Sequence, residues 1–186
     1  MTVHTLRLPP AVAEELAKNK RFAFDRMRVP EDAYPWHSYP AQELYVADLD
    51  QCVAGRAVTS AYLVGWQVIV VSSDGATRFV HVGIASGAPA FDGINEGPFV
   101  ASTLGALKSA PLVAPDDRSY VARVLRIPSI YLMALWLHHE PDTTLDLIIP
   151  LEPTTYGLSQ DKVMSRRDFE DAVREPAQVR SAQLSV

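Results

Sequence analysis

Cysteine is all but absent from this chain: Cys52 stands alone among 186 residues. No intrachain disulfide can form, and no metal centre built on paired cysteines is available. Lysine is scarce, four residues against 13 arginines, and the net charge is −5 at pH 7. A protein that lives on nucleic acid carries a basic footprint, because phosphate neutralisation supplies most of the affinity. The charge balance therefore argues against a nucleic-acid partner. No apolar run approaches the ~20 residues that span a bilayer, which argues against a membrane partner. The opening MTVHTLRLPPAV lacks the apolar core of about 7–15 residues that marks a signal peptide, so a cytoplasmic location is expected. HExxH, CxxC and Gly-Lys-Ser/Thr motifs are missing, and no cofactor is expected. Alanine, arginine and proline abound instead; their codons are GC-rich, which points to a bacterial source.

Apolar residues at 48% and charged residues at 21% are ordinary for a folded domain. The most apolar block is Ser129–Leu151, with a run from Ile130 to Leu137, a polar break from His138 to Thr144, and a second run. It reads as two strands joined by a tight connection, the first buried on both faces. Tyr120–Ile127 adds a strand before it. Residues 57–86 hold a hairpin signal at Asp74-Gly75, because a tight two-residue turn needs positive φ at both positions. Such a turn sets Val70 against Phe79, Val68 against His81 and Trp66 against Gly83. His81 then shares a face with Tyr62 and Trp66.

Proline marks the helices. Pro9-Pro10 opens a predicted helix over residues 9–28, with a weak point at Asn19-Lys20. Pro98 opens another, running to Ser109 and ended by Pro111. Ser165 caps a third, which Pro176 breaks, leaving residues 176–186 as a flexible tail. Residues 41–56 favour a helix through Tyr45, Leu49, Cys52 and Val53, with a strand over Leu44–Leu49 as the competitor. Residues 29–40 are too proline-rich for regular structure, and 87–97 reads as a glycine-rich loop. The expectation is a single α+β domain over residues 1–186. Its mostly antiparallel sheet has about five strands built from hairpins, as in cystatin-like or NTF2-like folds.

Five places offer chemistry. Cys52 with His81 has the composition of a thiol–imidazole pair, but Cys52 falls late in its helix, where the dipole raises a thiol pKa. His81-Val82-Gly83-Ile84 resembles a strand of NlpC/P60 peptidases over four residues; the Asp-Cys-Ser-Gly nucleophile motif of that family is missing. His138, His139, Glu140 and Asp142 are zinc-type residues, but adjacent strand residues point to opposite faces, so no metal site is expected. Glycines before Pro98 could cradle an anion, though Asp92 and Glu96 oppose one. Lys18, Lys20, Arg21, Arg26 and Arg28 form a basic stretch that a solvated helix end explains.

The fifth is Tyr34, Trp36, His37 and Tyr39 among prolines, a composition enriched at interfaces. It supports a first reading as a non-catalytic interaction module that binds a protein partner or a second copy of itself. The second reading is a small ligand-binding protein or enzyme. Its pocket would lie in a curved sheet and hold Tyr62, Trp66 and His81, with His81 as acid/base.

Overall fold

The structure is a computed structural model that describes residues 2–4, 7–27, 37–71, 75–115, 117–154, 156–159 and 162–185, with backbone only for residues 2, 20–27 and 37. The strands are β1 (Thr2–His4), β2 (His37–Ser38), β3 (Gln42–Val46), β4 (Tyr62–Val71), β5 (Thr77–Ala85), β6 (Ala88–Asn95), β7 (Ser119–Ile127), β8 (Leu132–His138), β9 (Leu147–Pro150) and β10 (Met164–Ser165). The helices are α1 (Pro10–Met27), α2 (Leu49–Val53), α3 (Pro98–Val113) and α4 (Arg166–Leu184). The fold is α+β, and its mostly antiparallel sheet has ten strands rather than about five. Among the described residues no helix is long and apolar enough to cross a membrane.

The main path of the sheet is β10-β9-β8-β7-β3-β4-β5-β6. β3 pairs antiparallel with β4 and parallel with β7. It is the only described strand hydrogen-bonded to both halves, the meander β4–β6 and the group β7–β10. β1 and β2 extend the neighbouring edges of β7 and β4 where β3 ends. One face packs Leu44, Ile69, Phe79, Val124 and Leu135 against Val100, Ala106 and Ala110 of α3. The other face carries α4 and α2 over Leu125, Trp136 and Ile148, and α1 over Val68, Val70 and Val80.

Several sequence expectations change. Residues 41–56 are both strand and helix: Gln42–Val46 pairs in the sheet and Leu49–Val53 is α2. The helix begins where Asp48 N–H donates to Gln51 Oε1 at 2.8 Å, a local cap that competes with strand extension. The glycine-rich stretch is the strand β6. Ala85 pairs with Ala88 around Ser86-Gly87, with φ of 51° and 80°, so the tight turn falls there. Proline ends neither α3 nor α4. Pro111 lies exposed in the last turn of α3, while Pro176 lies inside α4 and is buried with Ala177, so packing there outweighs the missing N–H bond. No regular structure was expected over 29–40, yet His37–Ser38 forms β2; residues 29–36 lie outside the described residues.

The hairpin register also changes. Val71 pairs with Thr77, so five residues separate the strands instead of two. Residues 72–74 of that connection lie outside the described residues. Val70 therefore opposes Arg78, Val68 opposes Val80, and His81 opposes Gln67. A shift of one residue moves a side chain to the other face of the sheet. His81 thus lies on the α3 face, and Trp66 on the opposite one, paired with Glu43. Gly65 holds the register at a close approach: a Cβ there, at φ 159°, would lie 2.2 Å from the Val82 carbonyl oxygen.

Candidate functional site

Three neighbouring strands each place a polar side chain at the same level of the α3 face. Gln42 on β3 pairs with Gln67 on β4, and Gln67 with His81 on β5. All three are buried, at 0%, 0% and 3% exposure. Gln42 Nε2 donates to the Pro40 carbonyl. Gln42 Oε1, both polar atoms of Gln67 and both ring nitrogens of His81 have no hydrogen-bond partner among the described residues. Each such group costs about 1–3 kcal/mol of desolvation, so a row of them is kept against the interest of stability.

The row opens at His81. Its neighbour on β6 is Gly93, which has no side chain to cover the imidazole. The ring meets Phe79 edge-on at 5.6 Å and lines a cavity of about 300 Å³. One wall is the β6–α3 junction, with Asn95, Glu96 and Phe99. The other comes from β7 and β8, with Arg126, Tyr131 and Met133.

Local sequence explains these walls. Leu125 and Ile127 face α4, so alternation along β7 sends Arg126 to the α3 face. Tyr131 ends the turn at Pro128–Ile130 in a left-handed conformation, φ 51°. That conformation costs a non-glycine residue on the order of 1 kcal/mol or more. The ring is 61% exposed and packs on Phe99 at 5.3 Å. Gly97, at φ 132°, makes the sharp entry into α3 and provides no side-chain cap for its first turn.

Burial pushes the His81 pKa down to about 4; the Arg126 charge adds to this and Asp92 partly opposes it. The imidazole is neutral at physiological pH, with one donor and one acceptor nitrogen. Glu96 is paired with Arg78. Arg126 makes no ion pair with any described carboxylate. Arg123, on the opposite face, pairs with Glu43 at 3.0 Å and lies over Tyr45 and Trp136, 5.1 Å from each ring.

The residues expected at a site are dispersed. Tyr62 is at the far end of β4, 45% exposed, its hydroxyl donating to Asp48 at 3.1 Å. Neither Tyr62 nor Trp66 lines the cavity that holds His81. Tyr34 and Trp36 lie outside the described residues, as does the His37 side chain. Tyr39 packs against the α3-face core, and its N–H donates to the Ile69 carbonyl at 2.8 Å. Cys52 is fully buried, and burial, with Asp48 and Glu170 nearby, pushes its thiol up to about 12.

His138 and His139 serve Asp146, which is 1% exposed. Asp146 accepts from Trp136 Nε1 at 2.8 Å and from the His139 N–H at 2.8 Å, with His138 Nδ1 at 3.2 Å. Among the described residues no group of three or more His, Cys, Asp or Glu is placed to hold a metal ion.

Gln42, Gln67 and Arg126 had a faint sequence signal. YVARVLRI places Arg123 and Arg126 at opposite parity in one apolar strand, so one arginine goes to each face. The glutamines acquire meaning only once three strands are in register. No family model matches the chain, and neither a curated protein nor a solved structure does.

Proposed function

We propose that this protein binds a small organic ligand in the cavity between the N-terminal turn of α3 and the sheet. One observation carries the reading: His81 is buried, keeps both ring nitrogens unpartnered among the described residues, and lines that cavity. A buried polar group without a partner is the exception in folded proteins, and one at a cavity wall is explained by a ligand that supplies the partner. The cavity is at the small end of the ~300–1,000 Å³ typical of such sites, which fits a single-ring compound better than a dinucleotide. α3 laid across one sheet face is the element a cystatin-like or NTF2-like cradle would need.

The role assigned to His81 is recognition rather than acid/base catalysis. A general base works best with a pKa near the operating pH, and burial moves His81 far below it. A partner-binding role for Tyr34, Trp36, His37 and Tyr39 is the second reading; the inward packing of Tyr39 favours the cavity over it.

The test is a fragment screen by NMR on the full chain. Binding is expected to perturb the resonances of His81, Phe99 and Tyr131 together, and His81→Leu is expected to weaken it. If no fragment in the screen moves those three signals, the proposal fails.

A further inference from the structure

We infer that the ligand is an organic anion, a carboxylate on an aromatic or otherwise apolar body, with its charge held by Arg126 and its polar atoms read by His81. The inference rests on the binding role proposed for the cavity and adds the charge of the occupant.

Three observations point the same way. Arg126 is half-buried and pairs with no described carboxylate, whereas Arg123 on the same strand is paired and stacked. The acid on the cavity wall, Glu96, is already engaged by Arg78. α3 begins at the cavity with Gly97 and Pro98 and no side-chain cap, which leaves the positive end of its dipole facing the same space. The buried His81 adds a neutral imidazole beside Arg126 and the helix end, and the exposed Tyr131 ring with Phe99 offers a flat apolar wall for the body.

Linkage gives a signature. Arg126 now disfavours a second positive charge on His81. An anion seated between them neutralises that field, so binding raises the His81 pKa. Asp92 on β6 already acts weakly in the same sense. A neutral ligand brings no charge to offset that field.

The experiment uses the full chain with labelled histidine, phenylalanine and tyrosine, and phenylacetate, phenylacetamide and phenethylammonium as matched probes. Phenylacetate is expected to perturb His81, Phe99 and Tyr131, to bind about tenfold or more tightly than the amide, and to raise the His81 pKa. Phenethylammonium is expected not to bind. Arg126→Gln removes the preference for the anion; Arg126→Lys keeps part of it. The wild-type comparison needs no variant to fold. If the amide enters the cavity as tightly as the acid, the anion assignment is overturned while the binding role stands. If fragments of other classes perturb the cavity but phenylacetate does not, the assignment is likewise overturned. If nothing perturbs the three residues, both conclusions fall.

Discussion

Around Asp146, no side-chain atom of Trp136, His138 or Asp146 is buried without a partner; along Gln42, Gln67 and His81, five atoms are. The two clusters lie on opposite faces of one sheet, and each includes a histidine. At Asp146 each donor meets an acceptor, and the loop from His139 to Leu145 is tied to β8 and α4 through that carboxylate and the Asp146 carbonyl. Along the glutamine row the protein accepts desolvation without return. A satisfied network is what a structural role requires, and an unsatisfied one at a cavity needs something from outside the chain.

The contrast can be broken by mutation, and the largest effect belongs to the satisfied side. Asp146→Ala strands the Trp136 and His139 donors and is expected to cost about 3–5 kcal/mol in urea unfolding. A loss under 1 kcal/mol would remove the distinction. Next comes pH. The folded pKa of His81, about 4, lies below the unfolded value of 6.5, so the unfolded state binds the proton more readily. Stability is full above pH 6.5 and falls toward pH 4, by about 3 kcal/mol at ~1.4 kcal/mol per pKa unit. His81→Leu should flatten that part of the profile; an unchanged slope would assign it to other groups.

The third effect is smaller and of opposite sign. Gln67→Met, and His81→Leu at pH 7, are expected to stabilise the fold by about 1 kcal/mol, since each replaces unpaired buried polar atoms by packing. Destabilisation at both sites would show that the row is satisfied after all. The smallest effect concerns reagents. Cys52 sits in the core on the Asp146 side, and its thiol should react with iodoacetamide at pH 8 only at the rate of unfolding. Fast labelling in the folded state would show that this side opens as readily as the other.

The sequence showed clearly what rests on local chemistry. Pro98 and Ser165 start α3 and α4, and the block at Ser129–Leu151 is two buried strands. What it hid depends on counting across a distance. Asp74-Gly75 looked like a two-residue turn, but the strands close around five residues, and that odd count sends His81 to the other face. Pro176 looked like a stop because the burial that outweighs it comes from distant segments; Pro111 lies exposed, two residues before α3 ends at Val113. The candidate site was the least legible part. Gln42, Gln67, His81 and Arg126 come from four strands; His81 stood out in the sequence, but its neighbours there were misplaced until the register was known.

The position of β3 between the halves has a kinetic consequence. The meander β4–β6 and the antiparallel core β7–β9 can each assemble through neighbouring hairpins, but joining them pairs residues some eighty positions apart, such as Glu43 and Arg123. Closing so long a loop precedes any reward from the contacts it makes, so the β3 seam is expected to be the slow step of folding. His81 belongs to one half and Arg126 to the other. A ligand held by both is a clasp across the last-formed joint: it cannot speed the closing, but it slows the reopening, and a bound molecule would prolong the lifetime of the native state.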